Sequence, residues 1–194
     1  MRSRIDAVLV VRRGGEQLSQ ALEGLKEQTL PPESLLVADL TGDRSVADEF
    51  SQGFESLPFP VETLVLPPRT SFPLAIQGAL DHLHPGEGTI ESDRWLWLLR
   101  DDIVARPSAL GYLAASVDGA PSIRVAGPKQ RLSDRPGFLR ELGETLTPMG
   151  QRVALAEREL DQAQYDRLSD VLAVGEAGML IHADTLRLTG GFDE

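Results

Sequence analysis

Short apolar runs alternate with segments of helical spacing from the start of the chain to Pro128. Residues 7–11 and 95–99 are almost wholly apolar, which is typical of strands covered on both faces of a sheet. Leu18, Leu22 and Leu25 recur three or four residues apart, as on the buried side of a helix that Pro31-Pro32 would end. Further strands are predicted at residues 34–40, 61–66 and 123–126, and further helices from Ser45 to residue 54, at 74–83 and from Pro107.

This alternation predicts an α/β fold with a doubly wound, mainly parallel sheet and right-handed crossovers. Ligands of such sheets bind beyond the carboxyl ends of the strands. We expect one domain over residues 1–194, in which a nucleotide-binding half (1–128) precedes a more irregular half (129–194).

The irregular half has its own pattern. Residues 138–146 and 151–156 predict two strands of a β-hairpin joined by a turn at 147–150. Two more strands are predicted at residues 171–174 and 179–182, followed by a helical turn at 184–188.

Composition excludes some functions and leaves others open. The formal net charge of −11 argues against nonspecific nucleic-acid binding, which needs clustered Lys and Arg. It is compatible with a nucleotide ligand, because a divalent cation can offset carboxylates and diphosphate together. The chain has no cysteine, which fits a reducing compartment such as the cytoplasm. We expect no membrane span, because no apolar stretch reaches the required length.

Three well-known motifs are missing. The sequence contains no G-x-G-x-x-G after the first predicted strand, no G-x-x-x-x-G-K-[ST] and no G-x-S-x-G. These absences argue against a Rossmann dinucleotide site, a P-loop and an α/β-hydrolase elbow. A phosphate-binding site would therefore have to be built differently.

Two adjacent carboxylates, Asp101 and Asp102, follow the most apolar predicted strand after a single arginine, Arg100. Their position puts negative charge at the ligand-binding end of the predicted sheet. Carboxylate oxygens there suit Mg²⁺ or Mn²⁺, which would bridge the protein and a diphosphate. Alternatively, both are loop or cap residues ahead of the helix at Pro107.

Among the other candidate residues, Asp39 has both a binding and a structural interpretation, and the rest have a structural one. Asp39 closes a predicted strand, where its carboxylate can accept hydrogen bonds from a nucleobase or ribose, or cap the next turn. The histidines His82 and His84 have poor spacing for metal ligands and are predicted to be exposed, whereas His182 has no obvious partner. Both tryptophans are predicted to lie in the core or a pocket wall. The acidic residues of the second half are interpreted as solvated surface: Glu157, Glu159, Asp161 and Asp166.

Several segments, taken in order and spacing, resemble family 2 glycosyltransferases. They are Val8-Leu9-Val10-Val11 leading to Gln28-Thr29, Asp39, Ser71-Phe72-Pro73, Arg100-Asp101-Asp102 with Pro107, Gly127-Pro128-Lys129, Ala177-Gly178-Met179-Leu180, and Gly190-Gly191-Phe192-Asp193-Glu194. The resemblance covers essentially the whole chain. It implies the GT-A fold, in the N-terminal donor-binding portion of a larger, actinobacterial-type enzyme.

The resemblance also implies site residues. Asp39 would read the nucleobase, Asp101 and Asp102 would hold Mg²⁺ or Mn²⁺ beside the nucleotide, and Arg12 would meet the diphosphate unless it is simply an exposed basic residue. Arg100 stands where many members carry the first Asp of a D-x-D motif, so metal affinity would be weaker or would rest on Asp101 and Asp102 alone. Gln77 replaces the usual Asn, and Ser71 and Pro73 replace two glycines; the sugar is therefore not assigned.

The mechanism implied is inverting, in-line transfer from a nucleoside-diphosphate sugar to a glycan or lipid-linked acceptor, in cell-envelope polysaccharide synthesis. The metal would stabilise the leaving group while a carboxylate deprotonates the acceptor. Members carry that base after the segment that ends here at Glu194, so no catalytic residue is assigned and a truncated domain is expected. The full-length parent would work in the cytoplasm or at the cytoplasmic face of the membrane.

Two alternatives remain open. One is a noncatalytic sugar-nucleotide-binding domain of the same fold, favoured by Arg100 and the missing base. The other is a nucleotidyltransferase, of whose Gly-rich basic loop Arg12-Arg13-Gly14-Gly15 is a faint version.

Overall fold

A central sheet and two small hairpins make up the computed structural model, which describes residues 3–42, 46, 50–86, 88–120 and 122–193. The strands are β1 (Arg4–Val11), β2 (Ser34–Asp39), β3 (Val61–Val65), β4 (Arg94–Arg100), β5 (Val125–Ala126), β6 (Gln130–Arg131), β7 (Leu139–Glu141), β8 (Glu144–Leu146), β9 (Arg152–Ala154) and β10 (Leu180–His182). The helices are α1 (Gly15–Lys26), α2 (Ser51–Glu55), α3 (Phe72–Leu83), α4 (Ala109–Asp118) and α5 (Ala183–Leu188).

The central sheet has the order β3-β2-β1-β4-β10-β5. Strands β1 to β4 are parallel, and β10 is antiparallel to both of its neighbours. The predicted mainly parallel α/β fold is confirmed. Val11 lies opposite Asp39, and Val10 lies opposite Arg100. The carboxyl ends of β1, β2 and β4 therefore meet, and we call this the carboxyl end of the sheet.

Helices cover both faces of the sheet, because successive strand residues point to opposite sides. Leu9 of β1 packs in one core with α1 and α4, whereas Val8 packs in a second core with α3 and α5. The three helix-spaced leucines of α1 are buried, as predicted. Trp95 and Trp97 are buried in the first core, which confirms their structural interpretation.

The second half forms antiparallel hairpins. Strand β8 pairs with β9 across the predicted turn, which confirms that hairpin. The single strand predicted at 138–146 is wrong: it divides into β7, which pairs with β6, and β8. Gly143 separates them with φ +148°, a backbone angle that favours glycine. Residues 171–174 contribute only an isolated bridge, between Ala173 and Glu144, rather than a predicted strand.

Several predicted boundaries shift. Helix α1 ends at Lys26, before Pro31, because Gln28 and Thr29 turn away to contact another segment. Helix α4 begins at Ala109, two residues after Pro107. Ser45, the predicted cap of the short helix seen as α2, lies outside the described residues.

Candidate functional site

The loop between β1 and α1 is held by the buried carboxylate of Asp101. Asp101 Oδ2 accepts hydrogen bonds from the backbone N–H groups of Arg12 (2.9 Å), Arg13 (2.8 Å) and Gly14 (3.3 Å). Gly14 and Gly15 have φ +62° and +63°, so the chain turns here in a conformation that side-chain-bearing residues rarely adopt. Asp101 thus fixes the loop that closes the carboxyl end of β1.

Arg100 lies between two carboxylates. Its Nη2 is 3.1 Å from Asp102 Oδ2, and its Nη1 is 3.5 Å from Glu176 Oε1. The Arg100 and Asp102 side chains are 36% and 33% exposed, so the pair is open to solvent. Glu176 belongs to the segment before β10, which docks on β4 through a hydrogen bond from Gly178 N to Leu98 O (2.7 Å). An ion-pair cluster therefore lies at the carboxyl end of β4.

Asp39 caps its own turn. Its Oδ1 accepts hydrogen bonds from Thr41 N (2.8 Å) and Thr41 Oγ1 (2.7 Å), and the residue is 1% exposed. The capping interpretation is confirmed. The nucleobase-reading role of Asp39 stays a prediction, one that its position beside the β1–α1 loop allows.

Arg12 connects the β1–α1 loop to the segment between β3 and α3. Its Nη2 donates to Thr70 O (3.0 Å), in the segment that leads to the helix-capping Ser71 of α3. Arg12 is exposed, so its guanidinium remains accessible to an anion. Its diphosphate-binding role stays a prediction.

The Gln28-Thr29 dipeptide anchors the segment that follows Asp102. Gln28 is buried; its Nε2 donates to Arg106 O (2.8 Å), and its Oε1 accepts from Leu110 N (3.1 Å). Thr29 N donates to Pro107 O (2.8 Å). The dipeptide thus binds the β4–α4 connection to the end of α1, a role that the sequence did not indicate.

A second ionic cluster holds the irregular half together. Asp161 bonds Lys129 Nζ (3.1 Å) and Arg131 Nη2 (2.5 Å), and its side chain is 5% exposed. Its interpretation as solvated surface is therefore wrong. Burial raises the pKa of Asp161, but hydrogen bonds from Arg131, Lys129 and the Ala163 N–H outweigh it, and the pKa lies below its ordinary value. Asp166 and then Asp161 raise the pKa of Lys129, against its desolvation.

The histidines lie away from this site. His82 is exposed, as predicted, and contacts Glu62 Oε2 (3.0 Å). His84 is half-buried rather than exposed, and its Nε2 has no hydrogen-bond partner in the part of the chain described. His182 is buried, bonds Ser92 O (3.0 Å) and packs edge-on against Trp95. These contacts are structural.

The carboxylates as arranged do not fit a divalent cation. Asp101 Oδ2 already accepts three N–H groups, and Asp102 Oδ2 is paired with the Arg100 guanidinium. Within the described ranges, no three His, Asp or Glu side chains converge as a ligand set. Metal binding at Asp101 and Asp102 stays a prediction, and this geometry does not favour it.

The structure therefore brings Asp101, Arg12 and the Arg100–Asp102 pair to one end of the sheet, beside Asp39. The sequence pattern did not single out Glu176 as part of this end of the sheet. The signal that could have indicated it is its position directly before Ala177-Gly178-Met179-Leu180. None of the helices in the described residues is both long and apolar enough to cross a bilayer.

Comparison with known proteins gives structural likeness only. No protein-family model and no curated protein matches the sequence. The structure is similar to mannosyltransferase PcManGT from Pyrobaculum calidifontis in complex with GDP-Man and Mn²⁺ (TM-score 0.60, 15% identity, 100% of this chain and 48% of that one). It is also similar to S. aureus TarS 1–349 in complex with UDP-GlcNAc (TM-score 0.59, 14% identity, 96% of this chain and 47% of that one).

These likenesses show the fold: the chain has a GT-A type α/β architecture. It spans about half the length of either chain.

Proposed function

We propose that this chain is the donor-binding part of a nucleotide-sugar-dependent glycosyltransferase. One observation carries the proposal: on a GT-A fold, the Arg12–Gly14 loop, Asp39 and Arg100 meet at the carboxyl ends of three adjacent parallel strands. Ligands of open α/β sheets bind at such ends. Support also comes from the two similar structures, each of which contains a nucleotide sugar.

In this proposal, Asp39 contacts the nucleobase or ribose, Arg12 contacts the diphosphate, and residues 129–194 contribute to the acceptor side of a single domain. The parent would be a family 2 enzyme of actinobacterial type that transfers the sugar with inversion to a glycan or lipid-linked acceptor of the cell envelope. In this proposal the parent works in the cytoplasm or at the cytoplasmic face of the membrane. The base that deprotonates the acceptor is not assigned to a residue.

The predicted Mg²⁺ or Mn²⁺ cofactor has one point in its favour, the Mn²⁺ of the mannosyltransferase complex. The pairing of Asp102 with Arg100 stands against it. The proposed donor binding does not depend on whether the metal binds.

A noncatalytic sugar-nucleotide-binding domain is the second candidate. The observation that favours it is that Asp101 and Asp102 are both engaged within the protein. The nucleotidyltransferase alternative gains no support from the similar structures, of which one is a mannosyltransferase and the other binds UDP-GlcNAc.

The proposal is tested by calorimetric titration with UDP and GDP, comparing Asp39→Asn with Asp6→Asn. Both aspartates are buried on neighbouring strands and accept a hydroxyl hydrogen bond of 2.7 Å, from Thr41 and Ser34 respectively. Only Asp39 lies at the carboxyl end of the sheet. One nucleotide should bind the parent, and Asp39→Asn should weaken it about tenfold, the loss of one charge-assisted hydrogen bond.

The Asp6→Asn variant should bind like the parent. Failure of both nucleotides to bind at millimolar concentration, or equal losses in the two variants, would contradict the proposal. Consumption of UDP-GlcNAc or GDP-Man with acceptor mixtures then separates the enzyme from the noncatalytic domain.

A further inference from the structure

We propose that the Arg100 guanidinium takes the place of a divalent cation at the donor diphosphate, so that nucleotide binding needs no added metal. This inference rests on the proposed function and specifies which group of the site neutralises the negative charge of the diphosphate. It starts from the disagreement described above between the expected metal and the arrangement of the carboxylates.

Asp102 already has a cationic partner within the protein. Arg100 Nη2 lies 3.1 Å from Asp102 Oδ2, the oxygen that a metal at Asp102 would compete for. A divalent ion beside it would face the positive guanidinium at close range, where like charges repel strongly. Asp101 offers no compensation, because its Oδ2 holds the β1–α1 loop through three N–H groups.

The guanidinium is suited to the diphosphate itself. Its planar set of N–H donors matches the geometry of phosphate oxygens. Among the described residues, two of its three nitrogens contact carboxylates. The side chain is 36% exposed, so an anion in solvent can reach it. Arg12 and Arg13, both exposed on the adjoining loop, add positive charge.

Glu176 is the partner that the diphosphate would displace. Its contact with Arg100, at 3.5 Å, is longer than that of Asp102, and its side chain is 47% exposed against 33%. A bound diphosphate would take over the Nη1 side of the guanidinium and leave the Arg100–Asp102 pair in place. Removing the charge of Glu176 should therefore favour the nucleotide.

The test measures binding of whichever of UDP and GDP binds the parent, in chelator and in millimolar Mn²⁺, by calorimetry. The parent should bind equally in both, within about twofold, and Arg100→Ala should weaken binding about tenfold or more in both. Glu176→Gln should tighten binding. Arg100→Asp should bind poorly in chelator and regain affinity with Mn²⁺, because it replaces the guanidinium by a further carboxylate ligand.

Arg4→Ala is the matched control. Arg4 is also paired with two carboxylates, Glu33 (3.1 Å) and Glu91 (3.3 Å), and is 41% exposed, but it lies at the opposite end of the sheet. It should leave nucleotide affinity unchanged. A melting curve for each variant separates loss of binding from loss of folding.

The outcomes separate the two proposals. A parent that binds nucleotide only with Mn²⁺, or an Arg100→Ala variant that binds like the parent, overturns the role of Arg100 and leaves the proposed function intact. A parent that binds neither nucleotide in either condition overturns the proposed function, and this inference with it.

Discussion

The two ends of the central sheet carry similar charged side chains in different arrangements. At the amino end, Arg94 contacts Asp6 (3.4 Å), Glu33 (3.3 Å) and Glu91 (3.5 Å), and Arg4 shares Glu33 and Glu91. These side chains satisfy one another. At the carboxyl end, by contrast, the buried carboxylate of Asp101 accepts backbone N–H groups of the β1–α1 loop. Arg12 and Arg13 are exposed there, and neither forms an ion pair with a carboxylate of the described residues.

A cavity of about 330 Å³ at the amino end, lined in part by His84, Arg94 and Arg187, makes the same point. Arg187 already donates to the backbone oxygens of Gly88 and His84, and Arg94 is held by its three carboxylates. This cavity therefore has little free charge to offer a phosphate. Strand direction and uncommitted donors therefore make the carboxyl end the better candidate for a ligand site, although the amino end carries more paired charge and a cavity.

The largest effect on stability should come from a substitution in β4, a central strand that runs from one end of the sheet to the other. Leu98 in β4 is fully buried, and Leu98→Asp would place an unpaired carboxylate in the core at a cost of about 4 kcal/mol or more. The variant should be insoluble or melt far below the parent. Leu188→Asp, the same change at a residue that is 79% exposed, is the control and should melt normally. A normal melting temperature for Leu98→Asp would refute the central position of β4.

Substitution of one buried aspartate at each end of the sheet should have a smaller effect on stability, and only the substitution at the carboxyl end should change nucleotide binding. Asp101→Asn removes the charge that three backbone N–H groups bind, and we expect it to lower the free energy of unfolding by about 2–3 kcal/mol. It should also weaken nucleotide binding, because the β1–α1 loop is released. Asp6→Asn should lower stability without changing nucleotide affinity. Urea unfolding and calorimetry measure the two effects, and an Asp101→Asn variant that binds normally would contradict the loop's role.

The smallest effect concerns pH at the amino end. Burial lowers the pKa of His84 below its ordinary value, against the charge of Asp6. The folded protein then binds fewer protons at this site than the unfolded chain, so stability rises with pH. The contribution is complete above the ordinary histidine pKa of about 6.5 and is lost as pH falls below it.

His84→Asn should therefore flatten the decline in stability between pH 7 and pH 5. Urea midpoints of parent and variant across that range measure the difference, and nucleotide affinity at pH 7 should stay unchanged. Parallel curves for the two proteins would show that His84 does not contribute.

The regular part of the fold was predictable because burial on both faces leaves a local signature. The apolar run of β4 and the leucine spacing of α1 each define an element without reference to distant residues. The end of the sheet at which a ligand is expected followed from strand direction. Asp39, Arg12 and Asp101 could therefore be placed near one another, although their binding roles stay predictions.

What could not be predicted depends on distant partners. Asp161 lies in an acidic stretch with the pattern of a solvated surface, and its burial follows from Lys129 and Arg131, 32 and 30 residues earlier. Gln28 is similar, because its partners at Arg106 and Leu110 are 78 and 82 residues away. Asp101 supports the β1–α1 loop through hydrogen bonds to residues 87 to 89 positions away, and its ligand-binding role stays a prediction. Such pairings are set by tertiary packing, which a local pattern does not contain.

The Asp101 contact has a consequence for the order of folding. Its three hydrogen bonds span 87 to 89 residues, so the β1–α1 loop can take its final shape only after β4 has joined β1. Contacts of such long sequence separation form slowly, because the intervening chain must be ordered first. During synthesis, the loop would therefore wait until the ribosome has released Asp101. We expect the β1–α1 loop to mature only after β4 has been synthesised, although it precedes Asp101 by 87 to 89 residues in the chain.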